Sequence, residues 1–154
     1  MLKFVNTDIV FQEIPDETTL AINLSGCPCR CPGCHSKYLW ADVGQELTAE
    51  ALDRLIAGQS GDITCVSFMG GDGDPAAVAA LAQHIRREHP NLKVSWWSGR
   101  QYFPQDLDRD DFDYLKLGPY IAHLGPLKSP RTNQRLYRKT ADGWQDITGR
   151  FQKK

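Results

Sequence analysis

Four of the five cysteines of this 154-residue chain lie within eight residues, in the run Gly26-Cys27-Pro28-Cys29-Arg30-Cys31-Pro32-Gly33-Cys34-His35. An odd total of five thiols, four of them packed this closely, is a poor disulfide framework, and metal or cluster ligation is the better reading. Cys27, Cys31 and Cys34 have the spacing C-x3-C-x2-C. Three thiolates satisfy three irons of a cubane cluster that ordinarily takes four, which leaves the fourth iron open to a small molecule. Two other uses of the same residues stay open. A zinc site drawn from Cys27, Cys29, Cys31, Cys34 or His35 would crowd its ligands. An electron carrier would need a fourth ligand, for which Cys29 or Cys65 is available. In the open-cluster reading Cys29 is not an obligatory ligand, and Cys65 is a buried strand residue.

The segments around the loop alternate between strand and helix signals. Thr18–Leu24 reads as a strand that feeds the cysteine loop directly. Thr48–Ala57 reads as a helix capped by Thr48, with Leu47, Ala51, Leu52, Leu55 and Ile56 on one face. Ile63–Phe68 reads as a buried strand, broken by Gly70–Asp74. Pro75–Glu88 is a second helix, with Pro75 at its first position and Val78, Leu81, Ala82 and Ile85 on one face. Lys93–Trp97 and Phe112–Leu117 are further strands, each followed by a glycine, Gly99 and Gly118. Gly118–Arg131 is rich in glycine and proline and is expected to be irregular. Arg135–Thr148 is expected to form a hairpin around Asp142-Gly143.

This alternation predicts an α/β fold with a parallel sheet. Four units are too few for a closed eight-stranded barrel, so the expectation is a partial, open (βα) barrel with an irregular and hairpin tail. The expected organisation is one domain over 1–154, with a core of about 18–118 and a tail of 119–154. In such sheets ligands gather beyond the carboxyl ends of the strands. The cysteine loop, Gly70-Gly71-Asp72, Ser98-Gly99-Arg100 and the segment ending in Lys116 each follow one of four successive strands. Taken singly, Gly70-Gly71 is a tight turn, Lys116 a surface lysine, and Trp96 and Trp97 packing residues. Their shared position is what joins them into one expected pocket.

Charge is nearly balanced, with 18 Lys plus Arg against 19 Asp plus Glu. That gives no global attraction to nucleic acid or to an anionic membrane. No apolar run approaches the roughly 20 residues needed to span a bilayer, and the first residues lack a secretory pattern. A cytoplasmic location with neither nucleic acid nor membrane as partner is the expectation.

On the cysteine loop, Phe68-Met69-Gly70-Gly71-Asp72, Ser98-Gly99-Arg100 and Asp113-Tyr114-Leu115-Lys116, the chain resembles the radical S-adenosylmethionine superfamily. More narrowly, it is similar to the activating proteins of anaerobic (class III) ribonucleoside-triphosphate reductases. RCPGC (Arg30–Cys34) and Thr132-Asn133-Gln134-Arg135 resemble segments of those activases. The resemblance implies a [4Fe–4S] cluster on Cys27, Cys31 and Cys34, with S-adenosylmethionine held by Gly70, Gly71, Asp72, Ser98 and Lys116. Asp72 stands where the superfamily motif has Glu. The implied activity is reductive cleavage of S-adenosylmethionine to a 5′-deoxyadenosyl radical, which removes a hydrogen from a glycine of the large anaerobic reductase subunit. The implied electron donor is a flavodoxin-like protein. Radical chemistry on a small molecule and non-enzymatic electron transfer remain alternatives. Lys128–Lys139, which contains no acidic residue, is a candidate docking surface.

Overall fold

A computed structural model of the chain describes residues 2–11, 14, 17–25, 44–58, 63–100, 102–105, 107–119, 121, 124 and 129–151. The cysteine loop, Lys128 and most of the segment between 120 and 128 lie outside the described residues.

The described strands form one open eight-stranded sheet in the order β3-β1-β2-β4-β5-β6-β7-β8. They are β1 (Lys3–Val10), β2 (Thr19–Leu24), β3 (Gln45–Glu46), β4 (Cys65–Met69), β5 (Lys93–Trp97), β6 (Tyr114–Leu117), β7 (Arg135–Thr140) and β8 (Gly143–Asp146). β2, β4, β5 and β6 run parallel and side by side, as the alternation of elements predicts. β1 and β7 flank this parallel run in antiparallel fashion.

Two helices provide the crossovers. In α1 (Ala49–Ala57), the Thr48 side chain accepts from the Ala51 N–H at 3.1 Å. α2 (Pro75–Glu88) starts at Pro75 behind Asp74, whose carboxylate accepts from the Ala77 N–H at 3.3 Å. Both side chains satisfy amides that a helix start leaves orphaned.

The strand pleat sorts the parallel sheet into two faces. Leu20, Ile22, Leu24, Val66, Phe68, Val94, Trp96, Leu115 and Leu117 enter the main core, together with Leu52, Ile56, Val78, Ala82 and Ile85 of the two helices. Trp96 stacks on Phe112 at 5.6 Å between ring centres and meets Phe103 edge-on at 6.0 Å. The opposite face carries three cross-strand rows of a different character. The strand register sets Thr19, Cys65 and Lys93 in one row and Ala21, Ser67, Ser95 and Tyr114 in the next. The third row is Asn23, Met69, Trp97 and Lys116. Small and polar residues dominate these rows.

β1 was not foreseen from the sequence. Its run Lys3-Phe4-Val5-Asn6-Thr7-Asp8-Ile9-Val10 has no clean alternation, because much of it stays exposed or half-exposed. Backbone pairing with β2, and the Asn23 amide donating to Asn6 Oδ1 at 2.6 Å, hold it instead. The tail is a hairpin, as expected, with Gly143 at φ +118° beginning β8. Beyond expectation, the hairpin extends the sheet through β6–β7 pairing. Among the described residues, no helix is long and apolar enough to cross a membrane.

A buried carboxylate closes the amino-terminal edge of the parallel strands. Glu17 accepts from Tyr114 Oη, Thr64 Oγ1 and Lys93 Nζ, each at 2.8 Å, and its side chain is 5% exposed. Burial, then the bond to Glu17, raises the Tyr114 phenol above its ordinary 10.0. The Glu17 bond raises Lys93 above 10.5. Burial raises the Cys65 thiol above 9.0. A raised value means that the folded chain keeps protons the unfolded chain releases. Stability from this network is therefore complete below about pH 9 and declines as pH climbs through and beyond the ordinary values. Half-exposed Lys93 contributes little of the decline. Urea midpoints measured from pH 7 to pH 11 should show it. Tyr114→Phe should cost about 1.5–3 kcal/mol at pH 7, the worth of one buried bond to a charged acceptor, and should reduce the alkaline slope.

Candidate functional site

The loops leaving β2, β4, β5 and β6 all emerge at one edge of the sheet, and a mesh of polar contacts joins the last three. After β4 the chain passes through Gly70 at φ +102° and Gly71 at φ +87°, a region that residues with a Cβ enter at a cost. The Gly70 N–H donates to the Trp97 carbonyl at 2.9 Å, and its own carbonyl accepts from Trp96 Nε1 at 2.7 Å. Gly71 leaves no room for a side chain: a Cβ there would come within 2.8 Å of Val78 Cγ2 and 2.9 Å of Leu24 Cδ1. The pair is thus a turn, wedged between the end of β2 and the start of α2 and pinned to the end of β5.

Asp72 follows, 1% exposed. Its carboxylate accepts from Ser98 Oγ at 2.5 Å and from the Gly99 N–H at 2.9 Å. Arg100 donates from Nη2 to the Asp72 carbonyl at 2.9 Å and holds Nε 4.0 Å from the carboxylate. The Arg100 N–H also donates to Ser98 Oγ at 3.1 Å. Asp72 therefore braces the β4 loop against the β5 loop.

Lys116 makes the next join. It is 8% exposed, and Nζ donates to the Gly118 carbonyl at 2.9 Å and the Ser98 carbonyl at 3.4 Å. The ammonium also sits 5.8 Å from the centre of the Trp97 ring. Gln134, at the start of the tail, donates to the same Gly118 carbonyl at 3.4 Å. The structure thus brings together Gly70, Gly71, Asp72, Ser98 and Lys116, all named from the sequence. It engages Asp72 and Lys116 with neighbouring loops rather than leaving them as bare heads. Arg100 belongs to the same mesh and was quoted from the sequence only as part of its motif. Gln134 was signalled only by the Thr132–Arg135 segment. The candidate basic docking stretch is partly engaged within the chain. Arg135 lies 3.6 Å from Asp146, and Lys139 Nζ donates to the Asp110 carbonyl at 3.0 Å.

Beneath this edge lies the face of the sheet opposite α1 and α2. Ser95 Oγ and Trp97 Nε1 are buried there without a hydrogen-bond partner among the described residues. A buried polar atom without a partner costs free energy, so these two mark a face suited to a polar guest. The residues present fit an open iron–sulfur cluster with a polar cosubstrate. Cys27, Cys31 and Cys34 follow the end of β2 directly in the chain, and their thiolates are the donors such a cluster takes.

The model of the 4Fe-4S single cluster domain matches residues 18–118, and the chain belongs to that family. It is an iron–sulfur domain of the radical S-adenosylmethionine type, and its cofactors are a [4Fe–4S] cluster and S-adenosylmethionine. The mixed sheet with its parallel run is the partial barrel of that type. Among curated proteins, it is 32% identical over 90 residues to the anaerobic ribonucleoside-triphosphate reductase-activating protein of Salmonella typhi. It matches the protein of the same description from Salmonella typhimurium strain LT2 equally. The match covers 53% of this chain and 58% of each relative. No solved structure gives a significant match.

Gly71→Ala tests the wedge. The positive φ costs about 1–2 kcal/mol and the overpacking about 1–3 kcal/mol. A loss of about 2–5 kcal/mol is expected in urea denaturation of the cluster-loaded protein. Gly143→Ala, at a comparable φ with open space around it, should lose only the backbone share.

Proposed function

We propose that the chain is a glycyl-radical activating protein for an anaerobic ribonucleotide reductase. The observation that carries the reading is the gathering of the motifs after β4, β5 and β6 at the edge where parallel β2 also ends, joined to the similarity to the reductase-activating proteins. In this reading Cys27, Cys31 and Cys34 hold the cluster. Held there and reduced, such a cluster would supply the one electron that splits the sulfonium of S-adenosylmethionine into methionine and a 5′-deoxyadenosyl radical. That radical takes a hydrogen atom from a partner glycine, leaving 5′-deoxyadenosine and a glycyl radical. Glycine suits the role because, lacking a Cβ, it can enter a pocket closely.

The chain's own residues bind and orient. Gly70-Gly71 brings backbone close to where the cosubstrate sits. Asp72 fixes the Ser98-Gly99-Arg100 loop, and Lys116 fixes the exits of β5 and β6 while adding positive charge beside the Trp97 ring. The Ser95 hydroxyl and Trp97 indole N–H, without partners among the described residues, supply donors on the floor of the site. The large reductase subunit is the proposed partner, with a flavodoxin-like electron donor.

The test is anaerobic reconstitution with iron and sulfide, reduction, addition of S-adenosylmethionine, and assay of 5′-deoxyadenosine with and without the reductase. Cys27→Ala, Cys31→Ala and Cys34→Ala should each abolish cluster content and cleavage. With the reductase present, paramagnetic resonance should show a doublet that collapses when the glycine carries deuterium at Cα. Cleavage without radical transfer to any such reductase would overturn the partner assignment.

Lys116→Ala separates the cosubstrate site from the cluster. It removes charged hydrogen bonds worth about 1.5–3 kcal/mol from the strand exits. Weaker S-adenosylmethionine binding by calorimetry is expected, at unchanged iron and sulfide content. Unchanged affinity would remove Lys116 from the site.

A further inference from the structure

Asp53, His84 and His89 meet between the two crossover helices, away from the carboxyl edge. Asp53 lies in the middle of α1, His84 in the last turns of α2, and His89 at the C-cap of α2. Asp53 Oδ1 lies 2.9 Å from His84 Nε2 and 2.8 Å from His89 Nε2. The two rings stand edge to face with centres 6.3 Å apart. One nitrogen from each imidazole and one carboxylate oxygen lie within 4.8 Å of one another.

We propose that these three residues form a zinc site that clips α1 to α2. The donors converge, which is the feature that separates a metal site from an ordinary surface pair. Both imidazoles turn the same nitrogen, Nε2, toward the same oxygen. Two donors on a tetrahedral zinc ion lie about 3.3 Å apart, given bonds of about 2.0–2.1 Å. Each N···O pair therefore has to widen by about half an ångström, within reach of side-chain torsions alone. A neutral ring that now donates from Nε2–H would shift its proton to Nδ1 and present the Nε2 lone pair to the ion. The bond from His89, with the bond from His84 and the rings' charge, holds the Asp53 carboxyl below its usual range despite some desolvation, so it stands ionised as a ligand.

Two imidazoles and a carboxylate suit zinc and its transition-metal neighbours over magnesium or calcium. Three protein ligands leave one position for water. Partial exposure provides a path in: the side chains of Asp53, His84 and His89 are 42%, 16% and 26% exposed. His89 also lines an open cleft of about 480 Å³ with Ile56, Thr64 and Pro90. Helices in parallel crossovers run from the carboxyl edge back to the amino edge, so the end of α2 lies far from the proposed radical chemistry. The clip therefore does not depend on the activase reading.

The experiment uses cluster-loaded protein, so that the cysteine loop is occupied, and titrates zinc by calorimetry. One zinc per chain beyond the cluster iron is expected, with a raised Tm. Substituting cobalt(II) should give visible d–d bands without the near-ultraviolet thiolate band, which distinguishes His and Asp ligands from cysteine. His84→Gln and Asp53→Asn should abolish saturable zinc binding while iron content and 5′-deoxyadenosine yield stay unchanged. Absence of saturable zinc in the unsubstituted protein, a cobalt spectrum showing thiolate ligation alone, or undiminished binding in both variants would each overturn the proposal. The cobalt spectrum of the unsubstituted chain decides the matter even where a variant fails to fold.

Discussion

Parallel pairing of β2, β4, β5 and β6 is the constraint on which the rest depends. Four parallel strands side by side must release their following loops at one edge, and each crossover must return along the sheet before the next strand begins. The apolar face of the strands, with α1 and α2 packed on it, fixes the register that makes the edge level. A slip of one residue in β5 would turn Trp96 out of the core and carry Ser98 away from Asp72. The burial that stabilises the sheet therefore also sets the positions of Gly70, Gly71, Asp72, Ser98 and Lys116 at its carboxyl edge.

The two edges of the parallel sheet use buried charge in different ways. At the amino edge, Glu17 gathers a phenol, a hydroxyl and an ammonium from three elements and joins them into a structural knot. At the carboxyl edge, Asp72 and Lys116 span loops whose backbone would otherwise be free to move. A buried charge that loses its partners is costly, so each loop is held by the penalty for leaving. This division lets a site built from irregular backbone keep a fixed shape. The glycine turn supplies close approach of backbone, and the charged side chains supply the stiffness that glycine lacks.

Much of this was legible in the sequence. The parallel strands and both helices follow from apolar periodicity, Pro75, Thr48 and the glycines after β4 and β6. The gathering of Gly70, Gly71, Asp72, Ser98 and Lys116 follows from the rule that ligands collect at carboxyl edges. Roles were harder to read. A sequence places Asp72 at the edge, but only the register reveals that its carboxylate faces Ser98 and Gly99, 26 and 27 residues away. The polar face was visible as serines alternating with large apolar residues in β4 and β5, a pattern easily absorbed into a reading of fully buried strands. β1 escaped because pairing, rather than burial, holds it. Asp53, His84 and His89 escaped because helical spacing on α2 does not show which residue of α1 lies opposite.

The buried Ser95 hydroxyl and Trp97 indole N–H bear on the proposal that a polar cosubstrate suits this sheet. A domain built only for stability would fill the face opposite α1 and α2 with aliphatic side chains, as it does the face toward them. Here Ala21, Ser67 and Ser95 keep side-chain volume low across three adjacent strands, while Tyr114 closes their row at larger size and Trp97 stands in the next row. Low volume in the middle of a sheet sacrifices apolar burial worth about 1.5–3 kcal/mol per large side chain. Donors without partners among the described residues, Ser95 Oγ and Trp97 Nε1, add a further cost. In the proposed reading, a guest with hydroxyl and charged groups on this face would recover both costs. The amino-edge knot around Glu17 and the aromatic stack of Trp96 on Phe112 supply the stability that permits the sacrifice.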